Sequence, residues 1–195
     1  MSVSNDLVKH LRQITGNSIS LCKKVLDESG GDMEKALILL RKSSDALAVK
    51  KEGRTTGAGI IETYLHGNKK IGVLLDIRCE TDFVARNNEF QSLAHDIALH
   101  IAGARPLYIN KDDIPSDVRE EAERLFMDES QNLGKSPDMT KKIVEGKLKA
   151  HFRDTSLLSQ SFVKDPNITI EELITRGITH FGEKIEIERF TRFEI

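Results

Sequence analysis

The sequence predicts an α+β protein in which an N-terminal three-helix bundle precedes a core with a small sheet. Three observations favour this fold class: apolar residues recur at helical spacing over 5–42, they alternate strictly over 71–79, and helical spacing returns after residue 87. The core is expected to hold a three-stranded, mostly antiparallel sheet covered by helices. We therefore divide the 195 residues into a bundle over 1–43, a linker over 44–59 and a core domain over 60–195.

The bundle is predicted as three short helices with tight turns between them. Gly16 and the pair Gly30-Gly31 interrupt the helical pattern, while Ser18 and Asp32 are suitable N-cap residues for the second and third helices. The apolar positions that share one face of each helix are Leu7, Leu11 and Ile14, then Ile19, Cys22 and Leu26, then Met33, Ala36, Leu37 and Leu40.

The linker and the sheet come next. Serines open the linker and Gly and Thr close it, with a helical turn expected around 46–51 at most. Residues 71–79 form a strand with one apolar face, and 60–66 is a second strand, joined to it by a turn over 67–70. Residues 183–195 predict the third strand. Its apolar phase slips between its two halves, which indicates a bulge or a strand partly buried on both sides.

Four helices are expected between the hairpin and the last strand. They begin after Asn87-Asn88, at Ser116, at Ser136-Pro137 and at Thr169, and Gly177 is expected to end the fourth.

Composition excludes several classes of protein. Lys and Arg number 29 against 31 Asp and Glu, so the net charge of −2 disfavours a basic nucleic-acid binder. No apolar run approaches the ~18 residues of a membrane span, and the N-terminus lacks the features of a signal peptide. We therefore expect a soluble, cytoplasmic protein without a membrane partner. The two cysteines and the spacing of the six histidines do not fit a metal site. The sequence contains no P-loop motif, so no bound nucleotide cofactor is expected.

The segment Cys79-Glu-Thr-Asp-Phe-Val-Ala-Arg86 stands out, because it places a large apolar residue in a polar connection between a strand and a helix. Three interpretations are open. Phe83 packs into the core while Asp82 caps the helix; or Glu80 and Asp82 form a catalytic carboxylate pair, as in a small hydrolase; or Phe83 is an interface anchor with Asp82 beside it.

The same segment closely resembles the signature of bacterial elongation factor Ts. Further segments fit the family in the right order, namely 11–16, 22–26, 144–148, 158–163 and 190–194, whereas Asn17–Leu21 and Asp76–Arg78 depart from its usual pattern. The chain is similar to the short form of the family, which lacks the coiled-coil insert and the second core repeat.

The resemblance implies a guanine-nucleotide exchange factor that works by binding, without catalytic residues or covalent chemistry. Its partner would be elongation factor Tu, from which it releases GDP by disturbing the Mg²⁺ and phosphate site. The residues implied in the inserted wedge are Thr81, Asp82, Phe83 and Val84, and those implied in secondary contacts are Arg12, Ile19, Lys23 and His66. Short members act as dimers, so the resemblance also implies a homodimer formed through the core domain.

One alternative rests on the bundle alone. Residues 31–37 resemble the end of ubiquitin-associated three-helix domains, so the bundle is expected to be UBA-like, and the alternative function is an adaptor without exchange activity. That interpretation leaves the C-terminal resemblance unexplained.

Overall fold

The computed structural model describes residues 3–131 and 136–195 and confirms the α+β fold class. The helices are α1 (Asn5–Thr15), α2 (Ile19–Glu28), α3 (Met33–Lys51), α4 (Asp82–Ala85), α5 (Asn88–Ala104), α6 (Ser116–Gln131), α7 (Pro137–Thr155) and α8 (Ile170–Phe181). The strands are β1 (Ala58–Leu65), β2 (Ile71–Cys79), β3 (Ser161–Phe162), β4 (Asp165–Thr169) and β5 (Ile185–Glu194), with a 3-10 turn at Leu157–Ser159.

The three N-terminal helices pack around their own apolar cluster. The predicted caps are confirmed: Ser18 Oγ accepts the Leu21 N–H at 3.3 Å, and Asp32 Oδ1 accepts the Lys35 N–H at 3.1 Å. Gly16 ends α1 in the left-handed conformation, with φ 68°. The buried residues of this cluster are Val8, Leu11, Cys22, Val25, Leu26, Ala36 and Leu40.

The third helix is longer than expected. It continues to Lys51, so the predicted linker over 44–59 is wrong for residues 44–51, which are helical. Ser44, which looked like part of a linker, is buried, and Ala48 packs against the main core. A single helix therefore contributes Leu40 to the bundle and Ala48 to the core domain, which favours a rigid connection between them.

The main sheet has the order β1-β2-β5 with both pairs antiparallel, as predicted. Its inner face packs on α5, and the chain positions Val73, Leu75, Ile77 and Cys79 of β2 are all buried. The predicted bulge is also confirmed: Ile77 pairs with Ile187 and Asp76 with Arg189, so Glu188 is the extra residue of β5.

The prediction that Gly177 ends the last helix is wrong, because α8 continues to Phe181. Gly177 is buried, and a Cβ there would lie 2.9 Å from Leu93 Cδ2. The glycine is thus explained by close packing of α8 on α5 and not by a turn. The two-stranded β3–β4 hairpin before α8 was not expected from the sequence.

A buried polar network fixes this hairpin to α5. His100 Nε2 lies 2.9 Å from Gln160 Oε1, and His100 Nδ1 accepts the Val163 N–H at 3.3 Å. Nδ1 therefore carries no proton and Nε2 donates to the amide oxygen. Burial lowers the pKa of His100, which is fully buried.

Candidate functional site

The short helix α4 presents the most exposed aromatic side chain in the described residues. Val84 and Ala85 point into the core, whereas Phe83 on the opposite side is 84% exposed. Thr81 begins the helix as its N-cap, its Oγ1 accepting the Val84 N–H at 3.4 Å. Buried residues thus hold α4 in place while Phe83 projects from it.

The first of the three interpretations of this segment can now be judged. The inward packing of Phe83 is wrong, because the side chain is exposed. Asp82 caps neither helix: Thr81 caps α4, and Asn87 caps α5 by accepting the Glu89 N–H at 2.8 Å. That interpretation treated residues 80–86 as one loop, whereas residues 82–85 form a helical turn of their own.

Asp82 lies in the first turn of α4, beside Phe83. Within residues 3–131 and 136–195 its carboxylate has no hydrogen bond or ion pair, so it is available to a partner. Asp82, Phe83, Arg86 and Asn87 together line an open concavity on the surface. This concavity therefore combines an apolar ring with one acidic and one basic side chain.

A pair of glutamates fixes the segment that enters α4. Glu183 Oε2 accepts the N–H groups of Glu80 and Thr81 at 3.1 and 3.0 Å, and Glu183 Oε1 accepts the Thr81 hydroxyl at 2.6 Å. In return, Glu80 Oε1 accepts the Lys184 N–H at 2.6 Å. Sequence reasoning missed Glu183, since about a hundred residues separate it from its partners.

The environment of Glu80 argues against a catalytic pair with Asp82. The Lys184 N–H, followed by the Arg54 guanidinium at 3.1 Å, lowers the pKa of the Glu80 carboxyl, which is thereby held ionised as a structural acceptor. Its neighbour Cys79 is buried and donates its thiol to the Thr81 carbonyl at 3.3 Å, and burial raises the pKa of that thiol.

The secondary candidates on the bundle are exposed. Arg12 lies in the last turn of α1, and Ile19 and Lys23 lie on α2 with Ile19 56% exposed. The side chain of His180 connects the turn between α1 and α2 to the start of α5. His180 Nδ1 donates to the Gly16 carbonyl at 3.1 Å, while His180 Nε2 lies 2.6 Å from Glu89 Oε2, one turn after α4.

The fourth secondary candidate, His66, is in a different place. It follows β1 at the hairpin turn, where its Nδ1 lies 3.1 Å from the Tyr64 hydroxyl. Since β2 runs from Ile71 near this turn to Cys79 near α4, the two ends are roughly 27 Å apart at ~3.4 Å per residue. His66 therefore does not join Asp82 and Phe83 in one compact site.

The described residues hold neither a metal site nor a helix that could span a membrane. No group of three His, Cys, Asp or Glu side chains is placed to hold a metal ion there. Among the described helices, none combines the length and the apolar character that crossing a membrane requires.

A projecting aromatic on a braced helical turn, next to an accessible carboxylate, is the kind of surface that contacts between proteins use. Comparison with known proteins specifies the class. The model of the family described as Elongation factor TS matches residues 4–195. The chain therefore belongs to the elongation factor Ts family, a family of translation elongation factors.

Curated relatives agree along the whole chain. Elongation factor Ts of Carboxydothermus hydrogenoformans is 45% identical over 193 residues, which are 99% of this chain and 89% of that protein. Elongation factor Ts of Thermotoga petrophila is 46% identical over 195 residues, 100% of this chain and 97% of that protein. Elongation factor Ts of Fervidobacterium nodosum is 43% identical over the same length, 100% and 99% of the two chains.

Proposed function

We propose that this protein is a guanine-nucleotide exchange factor that releases GDP from elongation factor Tu in the cytoplasm. It acts by binding and performs no covalent chemistry of its own. Family membership supports the partner. The single observation that carries the mechanism is the 84% exposure of Phe83 on a helical turn whose other side is buried.

In this mechanism Asp82 and Phe83 of α4 insert into the GTPase domain of the partner. Mg²⁺ and the P-loop hold the phosphates of a bound nucleotide, so a wedge that displaces the support of the metal weakens the hold on GDP. Linkage then requires the nucleotide to weaken binding of the exchange factor by the same factor. Phe83 supplies apolar burial, and Asp82 fixes the position of the wedge.

The bundle supplies the second contact. Arg12, Ile19 and Lys23 are exposed on α1 and α2, and His180 ties the turn between those helices to the start of α5. One rigid partner surface can therefore meet the bundle and α4 together. His66 is assigned a separate contact, because it lies at the far end of the hairpin.

We also propose that the protein is a homodimer. Among the described elements, the helices α4, α5 and α8 contact the sheet. The inner face packs on α5, and apolar side chains lie on the outer face. Leu65, Gly72 and Phe193 are aligned in register across the three strands, and Leu65 and Phe193 are 63% and 66% exposed. With Leu74 they form an apolar patch that a second copy would cover.

The test is release of fluorescent GDP from elongation factor Tu with catalytic amounts of this protein. We expect acceleration by the wild type and loss of most of it in Phe83→Ala. Burying a Phe side chain is worth about 1.5–3 kcal/mol, which corresponds to about 10- to 150-fold in kcat/KM. Leu107→Ala is the matched control, because Leu107 is 69% exposed and lies outside the proposed contact.

The outcomes separate the parts of the proposal. Acceleration that survives Phe83→Ala would refute the wedge and leave exchange to the bundle or the tail. No acceleration of any cognate partner would refute the exchange function itself. Because Phe83 is exposed, Phe83→Ala should keep the wild-type unfolding midpoint, so a loss of activity cannot be assigned to unfolding.

A further inference from the structure

We propose that Glu183 is the positioning residue of the exchange site: its carboxylate fixes the angle at which α4 presents Asp82 and Phe83. This inference rests on the proposed function, since it concerns how the wedge is held. Glu183 accepts three hydrogen bonds at 2.6–3.1 Å from the backbone of Glu80 and from the backbone and hydroxyl of Thr81. Hydrogen bonds to an ionised acceptor are about twice as strong as neutral ones.

The hydrogen bonds continue from Glu183 into the wedge. The Thr81 hydroxyl donates to Glu183 Oε1 and at the same time accepts the Val84 N–H. The first turn of α4 is thus connected to the glutamate through one side chain. A four-residue helix has few internal hydrogen bonds, so this external support determines its orientation.

Glu183 is itself held on both sides. The residue before it, Gly182, ends α8 with φ 71°, and the Lys51 ammonium donates to the Gly182 carbonyl. The residue after it, Lys184, donates its N–H to Glu80. Lys51 is the last residue of α3, so the support of the wedge continues into the helix that forms part of the bundle.

The first experiment needs no partner protein. Amide hydrogen exchange is measured by NMR in the wild type, in Glu183→Gln and in Glu123→Gln, a charge-matched control at an exposed position of α6. We expect the Thr81 amide to exchange about 10- to 100-fold faster in Glu183→Gln, because it loses a charge-assisted acceptor. The amides of β2 should remain as protected as in the wild type, which excludes a global loss of stability.

The second experiment is GDP release by catalytic amounts of the exchange factor at varied concentrations of GDP-bound elongation factor Tu. A misdirected wedge should lower kcat about tenfold or more, while KM, which reflects docking through the bundle, stays within about twofold. Thr81→Ser keeps the hydroxyl that joins Val84 to Glu183, so it should lose less activity than Thr81→Val. A role of Glu183 in overall stability alone would not separate kcat from KM in this way.

Each outcome decides the question. Faster exchange of the Thr81 amide together with reduced kcat supports the positioning role. Wild-type exchange of that amide, or wild-type kcat in Glu183→Gln when Phe83→Ala is impaired, overturns the positioning role and leaves the proposed function intact. Wild-type release by Phe83→Ala instead refutes the wedge, and its positioning by Glu183 with it, whereas a wild-type protein that accelerates no release refutes the proposed exchange function.

Discussion

Two glycines inside helices provide a paired test of the packing that supports the site. Gly177 in α8 is buried, and a Cβ there would lie 2.9 Å from Leu93 Cδ2 and 3.2 Å from Ile185 Cδ1. Gly146 in α7 is exposed, and a Cβ there would meet no atom within 4 Å. Replacing glycine by alanine is the same chemical change at both positions. The difference between the two changes in the free energy of unfolding therefore measures crowding at Gly177.

The magnitudes can be worked out separately. Alanine in place of glycine inside a helix stabilises by about 1 kcal/mol, and this gain applies to both positions. Crowding in a packed core costs about 1–3 kcal/mol and applies to Gly177 only. We therefore expect Gly146→Ala to raise the free energy of unfolding by about 1 kcal/mol, and Gly177→Ala to lower it by up to about 2 kcal/mol.

The assay is urea unfolding at one fixed protein concentration, with thermal unfolding as a second measurement. For a chain of this length about 1 kcal/mol corresponds to about 2–4 °C in Tm. In a Leu93→Ala background the nearest atom is removed, so Gly177→Ala should cost less there than in the wild type. Equal stabilisation by the two alanines would refute the argument that Gly177 is required for packing.

Three further predictions concern other parts of the chain. Burial holds the pKa of His100 below its ordinary value of 6.5, so the unfolded state binds more protons than the folded state. The free energy of unfolding should therefore fall as the pH drops below about 6.5 toward the folded-state pKa. Between about pH 7.5 and 5.5, the urea midpoint should fall less in His100→Gln than in the wild type. Asn87→Ala removes the cap of α5 and should lower the free energy of unfolding by about 1 kcal/mol in the same urea titration. Asn87→Ser keeps a capping oxygen and should retain most of the wild-type stability, so equal losses in the two variants would contradict the capping argument. Leu74→Glu places a charge on the outer face of the sheet and should convert the dimer to a monomer in light scattering, while Leu107→Glu should not; a wild-type monomer would refute the proposed dimer.

Local patterns were sufficient to predict most of the helices and strands. Helical spacing and the caps Ser18 and Asp32 give the bundle, and strict alternation gives β2. The slip in the apolar phase of the tail corresponds to the extra residue Glu188. These features depend on residues within about one turn or one strand of each other, which is the range that a single sequence reveals.

The errors arose where distant contacts decide the conformation. Gly177 continues a helix because α5 and β5 approach it closely, and Ser44 continues α3 because the core buries that side of the helix. Neither contact leaves a signal in the neighbouring residues. The same limit applies to the candidate site: Phe83 stands out in the sequence, but the residue that braces it, Glu183, lies about a hundred positions away.

In the proposed mechanism, the support that α4 receives allows the exposed Phe83 to act as an efficient wedge. Fixing the backbone of one residue costs about 1–2 kcal/mol, so four flexible residues would lose several kcal/mol on insertion. Here Thr81 and Asn87 cap the two successive helices, Val84 and Ala85 are buried, and Glu183 holds the entry. The backbone entropy is therefore lost on folding, and binding needs to fix only the side chains of Asp82 and Phe83. A substitution that loosens this support without touching Phe83 should consequently reduce exchange while leaving the apolar contact itself available.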